Sequence, residues 1–213
     1  RPYGFFYGYL HDGIFQNQTE VNAHTDEYGT VIQPNAQPGD IRFKDLNHDG
    51  KLDDNDKTFI GNAFPDLMVG INARLAWKNI DFAANFYGTI GNDVYNTTKG
   101  RYSGVSGENV YAGTYNASWH GEGTSYDLPR LSYNDANQNW TRVSSFYVED
   151  GSYLRCKQLQ IGYTLPKKWT KKISLRLSFS AQNPFTITGY SGMDPEAAAL
   201  GTEGKVTESG IDW

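Results

Sequence analysis

A single cysteine, Cys156, among 213 residues leaves no internal disulfide possible, and in its strand-like run its expected role is packing. Long apolar runs are missing too. Nothing approaches the roughly 18 to 20 consecutive apolar residues of a membrane helix, so a helical membrane protein is excluded. The amino terminus shows none of the charged, apolar and small-residue zones of a signal peptide. Positive charge is scarce: 19 Lys and Arg stand against 24 Asp and Glu for a net charge of −5, and without a basic field no nucleic-acid partner is expected. Helix formers are sparse as well. In their place stand 15 Tyr, 11 Phe and 5 Trp beside 23 Gly and 17 Asn, a composition of strand and turn formers. The length allows one large all-β domain or two small ones. The mean hydropathy is that of a soluble chain, which does not exclude a membrane β-barrel, because a barrel turns only alternate residues toward lipid.

Two hairpins are legible from period-2 alternation. From Met68 to Trp77, residues Val69, Ile71, Ala73, Leu75 and Trp77 share one face, and Asn72, Arg74 and Ala76 share the other. Lys78 and Asn79 form a two-residue turn, with Asn suited to a positive φ. Ile80, Phe82, Ala84 and Phe86 then alternate with Asp81, Ala83, Asn85 and Tyr87. In the second hairpin Leu159, Ile161, Tyr163 and Leu165 alternate with Gln158, Gln160, Gly162 and Thr164. After a turn over Pro166 to Ile173, the residues Leu175, Leu177, Phe179 and Ala181 alternate with Ser174, Arg176, Ser178, Ser180 and Gln182. Each strand is about ten residues long, the length a tilted strand needs to cross a bilayer.

The rest of the chain reads as long, irregular, polar and Tyr-rich. Loops of about 60 residues are uncommon inside compact soluble domains, and short turns at one end with long loops at the other are the habit of a transmembrane barrel. A soluble β-sandwich also has one apolar face, so alternation leaves both architectures open. The polar faces carry Asn, Gln, Arg, Ser and Gly with few Lys or Glu, which suits a hydrated lumen. Trp77, Tyr163 and Trp169 lie at or beside the short turns, where an interfacial girdle would sit.

One stretch carries metal chemistry. Asp45, Asn47 and Asp49 supply oxygen at positions 1, 3 and 5 of a twelve-residue calcium-type loop, residues 45–56. Gly50 stands at position 6 for the sharp turn. Lys51 offers its backbone carbonyl at 7, Leu52 an apolar anchor at 8, and Asp53 and Asp56 fill 9 and 12. Hard oxygen ligands of this number favour a structural Ca2+, whereas zinc would want His or Cys. Asp in place of Glu at position 12 and the absence of flanking helices depart from the EF-hand. The alternative is a solvated acidic loop built of Asx turns.

Other signals are weaker. The turn Pro166-Lys-Lys-Trp-Thr-Lys-Lys172 mixes basic and aromatic residues and suits headgroup anchoring or solvation. His11, His24, His48 and His120 lack ligand spacing. Asp127, Asp135, Glu149 and Asp150 could be imagined as a glycosidase pair, but acidic residues in long polar loops are far more often solvated, and with no nucleophile elbow or phosphate loop no enzyme activity is expected. Trp119, Trp140 and Tyr115 stand among Gly, Ser and Asn in the middle loop, where aromatic faces can stack on sugars or peptides. They are the candidate substrate-binding residues, with mutual packing of the loops as the equal alternative.

The stretch Pro38-Gly-Asp-Ile-Arg-Phe-Lys-Asp-Leu-Asn47, continuing through Asp49 to Lys57 and Ile60-Gly-Asn62, strongly resembles the carboxy-terminal region of the SusC/RagA family of TonB-linked outer-membrane transporters. So do Phe6-Tyr-Gly-Tyr9, Asp12-Gly-Ile-Phe15, Gly91-Asn-Asp-Val-Tyr-Asn96, Val148 to Arg155, the Gly-Tyr-Thr-Leu-Pro166 end of the third strand, Ala181-Gln-Asn-Pro-Phe185, Gly189-Tyr-Ser-Gly192 and Asp194-Pro-Glu196. The resemblance implies an all-β fold, part of a 22-stranded antiparallel transmembrane β-barrel with long extracellular loops. It implies residence in the outer membrane of a Gram-negative bacterium, in contact with outer-membrane lipid. The implied activity is TonB-dependent import of an oligosaccharide or peptide ligand, with a SusD-like surface lipoprotein as lid and the TonB complex reached through an amino-terminal part that this sequence does not contain. On that reading 1–65 is an extracellular region holding the calcium-type loop, 66–89 a barrel hairpin, 90–152 a long extracellular loop, and 153–183 a second barrel hairpin. Residues 184–213 form an outer loop before a last strand that the chain stops short of, which makes it a fragment. The competing reading is a secreted, calcium-stabilised, glycan-binding β-sandwich.

Overall fold

The computed structural model describes residues 4–101, 109–171, 173–196 and 211–212. In chain order the strands are β1 (Phe5–Tyr9), β2 (His11–Ile14), β3 (Ile41–Phe43), β4 (Lys57–Asn62), β5 (Leu67–Trp77), β6 (Ile80–Ile90), β7 (Asp93–Asn96), β8 (Val148–Asp150), β9 (Tyr153–Thr164), β10 (Arg176–Thr188) and β11 (Ile211–Asp212). Helices are short: α1 (Gln18–Ala23), α2 (Thr98–Arg101), α3 (Ala112–Ala117) and α4 (Lys167–Thr170). None of the described helices is long and apolar enough to cross a membrane, which says nothing about crossing by strands. The chain divides into two compact units. A loop unit is drawn from Arg1–Ala63, Val94–Glu149 and Glu196–Trp213, and a sheet unit from Phe64–Asp93 and Asp150–Pro195.

The sheet unit is one antiparallel sheet in the order β10-β9-β6-β5. Its register lines up the alternation read from the sequence. Leu75 faces Phe82, Phe82 faces Ile161, and Ile161 faces Phe179, while the rows on either side hold Trp77, Ile80, Tyr163 and Leu177, then Ala73, Ala84, Leu159 and Ala181. This apolar face stays open: Leu75 is 69%, Trp77 67% and Phe179 67% exposed. No second sheet covers it among the described residues, as a sandwich would require. The opposite face carries an amide row in register, Asn72-Asn85-Gln158-Gln182, with Asn85 Nδ2 donating to Gln158 Oε1 at 3.2 Å.

The strands run further than their alternation suggests. β9 begins at Tyr153 and β10 continues to Thr188. A simple period-2 reading would carry Lys157 onto the apolar face with Leu159. Instead a bulge passes from Gln158 straight to Cys156 in pairing with β6, and it resets the phase so that Cys156 faces Phe86 and Leu154 faces Gly88. The Lys157 ammonium lies 5.9 Å from the Tyr87 ring centre instead. Pro184 does not end β10, because it sits at a bulge, the register with β9 shifting between Gln182 and Phe185, where no ladder donor is required. The β5–β6 turn is correct in length, but the positive φ falls on Lys78, at 55°, and not on Asn79. The second turn holds the single-turn helix α4.

The loop unit corrects the expectation of irregular chain. β1 pairs with β4, β2 with β3, and β7 lies between β8 and β11. Tyr9, Ile41, Phe43, Trp140, Phe146 and Tyr147 form its main buried cluster, and Phe15, Val21 and Ala36 a smaller one. These strands are too short to show a period, and their core partners lie about a hundred positions away in sequence, where no local pattern reports them. The helix α1 has its own local cause: the Asn17 side chain accepts from Glu20 N, and Glu20 Oε2 accepts from Gln16 N at 2.9 Å.

On the amide face, Arg176 of β10 reaches across β9 to Asp81 of β6, with Nε 3.1 Å from Oδ1 and Nη2 2.5 Å from Oδ2. Gly162 between them makes the crossing possible, since a Cβ there would sit 2.4 Å from Arg176 Nη2 and 2.5 Å from Asp81 Oδ1. Gly162→Ala is therefore expected to break the pair. In chemical unfolding, Gly162→Ala and Asp81→Asn should lower the midpoint in the same direction, and the double variant should be no less stable than the worse single one. Full additivity would show that the glycine and the ion pair are independent.

Candidate functional site

The loop unit is pinned at Asp40, which is fully buried. Gly39, at φ 89°, swings the chain into β3 and leaves its Cα face free for the Trp119 ring, whose Cε3 would lie 2.3 Å from any Cβ. The adjacent Asp40 carboxylate accepts from four donors. Arg130 Nε lies 2.6 Å from Oδ1 and Asn139 Nδ2 2.8 Å from the same oxygen. The Gln37 backbone N–H lies 2.8 Å from Oδ2, and Arg130 Nη2 3.4 Å from it. The network spreads from there. Asn139 Oδ1 accepts from Ile41 N and from Asn137 Nδ2, and Gln33 bridges β3 by donating to Ile41 O and accepting from Phe43 N. Every polar group in this buried set has a partner, which is the condition for a polar core to specify one structure.

The 45–56 loop is folded as a run of side-chain-to-backbone turns. Asp45 and Asp56, its first and last ligand positions, are both buried, and Gly50 takes φ 79°. Asp45 Oδ1 accepts from His48 N at 2.7 Å and Oδ2 from Gly50 N at 2.8 Å. Burial pushes the Asp45 carboxyl up, but the amides of Gly50 and His48, together with Asp56, outweigh it and hold its pKa below the usual carboxylate value. Asp56 accepts from Leu46 N and Asp53 N, which draws the two ends of the loop together. Asp49 accepts from Lys51 N and from Asn47 Nδ2, and Asp53 from Asn55 N. Among the described residues, no group of three or more His, Cys, Asp or Glu side chains is gathered as a metal site.

The three aromatic candidates separate. Trp140 is buried in the main core, with its indole N–H on Arg130 O at 3.3 Å and its ring edge-on to Phe146. It packs the loop and offers no face to a ligand. Trp119 is half-buried over Gly39 and donates to Gln16 Oε1 at 3.3 Å. Tyr115, on α3, is exposed and stacks on His120 at 6.3 Å between ring centres. Of the residues that organise this region, Asp40 falls in the family-like stretch Pro38 to Asn47, while Arg130, Asn137 and Asn139 carry no motif. Their only signal is polar side chains where hydrophobic ones would be expected, and that becomes visible once burial is known.

The fold is thus an all-β one, with a two-faced antiparallel sheet and a separately cored loop unit. No family model matches the chain. It is 35% identical over 91% of its length to "TonB-dependent receptor P3" of Formosa agariphila, and 26% identical over 84% to "TonB-dependent receptor SusC" of Bacteroides thetaiotaomicron. It covers 18% of each of those proteins. Among solved structures, the RagAB peptide importer in its open-open state matches 97% of the chain with a TM-score of 0.66 at 19% identity, over 20% of that protein's chain. The RagAB peptide transporter matches 91% with a TM-score of 0.65. The chain is homologous to the SusC/RagA family of TonB-dependent receptors, and it spans about a fifth of the length of the curated relatives it matches.

Asp40→Ala leaves the Arg130 guanidinium and Asn139 without their acceptor. Arg130 keeps about a fifth of its side chain exposed, so the cost is expected near the lower end for a broken buried pair, roughly 3 kcal/mol. Hydrogen exchange of the Ile41 and Phe43 amides should accelerate by about a hundredfold, with the β5–β6 amides unchanged. Unaltered exchange at Ile41 would remove Asp40 from the centre of the loop unit.

Proposed function

We propose that this chain is part of the wall and outer loops of an outer-membrane barrel that imports oligosaccharides or peptides, driven by TonB and paired with a SusD-like surface lipoprotein. The observation that carries the reading is homology to receptors bearing the TonB-dependent name along most of the chain. The sheet unit supports it. Eleven-residue strands at about 3.4 Å per residue reach about 35 Å, which at a tilt near 40° covers roughly 26 Å, close to the apolar band of outer-membrane barrels. The open apolar face meets lipid, and the amide face meets the hydrated interior. The two edges, β5 and β10, join neighbouring strands of a 22-stranded barrel. The chain carries no catalysis. Transport consists of capture at the outer loops and passage through the wall. Disrupting the gene is expected to abolish growth on one polymeric glycan or peptide source and to spare growth on the free monomers. Undiminished growth on every such source would overturn the import reading.

We further propose that the 45–56 loop binds one Ca2+ in a structural role, through Asp45, Asn47, Asp49, Asp53, Asp56 and the Lys51 carbonyl. Support comes from oxygen donors at the ligand spacing and from the sharp turn at Gly50. In an outer loop, millimolar calcium would fill even a weak site. Chelation is expected to speed protease cleavage between Asp45 and Lys57 several-fold, and the Asp45→Ala, Asp49→Ala double variant should cleave at that faster rate whether or not calcium is added. Cleavage indifferent to chelator would dismiss the ion.

A further inference from the structure

In the loop unit, the 30–35 segment, the middle of the 45–56 loop, Ala136, Asn137 and Arg142 wall a cavity of about 390 Å3. That volume lies at the low end of the range that holds small ligands, about 300–1,000 Å3. Its charged lining is of one sign: Lys51 and Arg142 take part and no carboxylate does, in a chain with 24 acidic residues. Lys51 is exposed. Arg142 is held between two rings, its guanidinium carbon 4.7 Å from the Tyr9 centre and 5.1 Å from that of Phe43. Its Nη2 donates to Gln138 Oε1 at 3.1 Å, while Nε and Nη1 are shut from solvent without a hydrogen-bond partner.

One carboxylate, that of Asp135, attracts this cation through space without taking its two idle N–H groups. Asp135 accepts from the backbone N–H groups of Asn139, Trp140 and Thr141. Asp26 is not itself in the lining, but it accepts from Tyr28 N and Thr30 N and its carboxylate packs behind Gly50 of the wall. Burial raises the Tyr9 hydroxyl pKa, so the phenol stays neutral. The amides of Gln33 and Asn137 are committed to Ile41 O and to each other, which fixes the wall, while Asn35 is exposed at the rim. A partly desolvated guanidinium is costly to hold, and an anion in the cavity would offset its charge through space, the two idle N–H groups themselves being closed to solvent.

We propose that this cavity binds a carboxylate borne by a small ligand unit, an acidic sugar or an acidic amino-acid residue, with Arg142 and Lys51 supplying the charge. The site rests on the local geometry of the loop unit and not on the import reading. The test is saturation-transfer NMR on the intact protein in detergent, with glucuronate, N-acetylglutamate and, as neutral control, glucose. At least one acid should bind in the millimolar range and glucose should not. Lys51→Met should weaken binding roughly threefold and Arg142→Gln tenfold or more. Should Arg142→Gln fail to fold, the exposed Lys51 decides alone. Binding of glucuronate only assigns the site to a sugar, binding of N-acetylglutamate only to a peptide, and binding of both to the carboxylate itself. Binding of neither acid, equal binding of glucose, or indifference to Lys51→Met overturns the proposal.

Discussion

The loop unit depends on one buried carboxylate. Its strands are three to six residues long in β1 to β4, too short to hold together by ladder bonds alone, and its helices are single turns or little more. Asp40 supplies what the ladders lack by taking Arg130 and Asn139 from some 90 to 99 positions further along the chain. Gly39 lets Trp119 close over the same point, and Gly39 O accepts from Arg130 N at 2.8 Å. Loop closure over such distances is entropically slow but only modestly costly, so a small number of well-satisfied polar anchors suffices where apolar area is limited. The 45–56 loop begins five residues after Asp40, and Asn137 in the wall of the cationic cavity donates to Asn139, which in turn donates to Asp40. Both candidate sites therefore inherit their positions from this network.

The sheet unit obeys a different constraint. Its strands are long, two of its three pairings are hairpins while β6 and β9 join across the middle of the chain, and a wide apolar surface is left uncovered. An isolated soluble domain does not keep such a surface, and the open face becomes sensible only against lipid or another apolar layer. The bulge that keeps Lys157 off this face shows how strictly the two sides are separated.

How much of this could be read beforehand follows from the same division. The β5–β6 hairpin was legible nearly to the residue, because alternation is a local signal and both strands express it without interruption. The second hairpin was legible only in the half next to its turn. The bulge at Lys157 and the irregularity at Pro184 both break the pattern while leaving the strand intact. The loop unit was hidden, since its signal is pairing between distant short segments. The same burial that hid Asp40 misled the reading of Trp140, whose Gly, Ser and Asn neighbours suggested a binding loop although the ring packs inside. Family resemblance, carried by the 38–62 and 148–166 stretches, reached further than any periodicity.

The most direct test of the account is the accessibility of the two sheet faces in a bilayer. Spin labels placed singly at Leu75, Phe179, Asn85 and Gln158 in the reconstituted protein, with Cys156 replaced by Ala, report collisions with oxygen dissolved in lipid and with a water-soluble nickel chelate. The account predicts high oxygen and low nickel accessibility at Leu75 and Phe179, with the reverse at Asn85 and Gln158. High nickel accessibility at all four positions would contradict it, since the apolar face would then meet water.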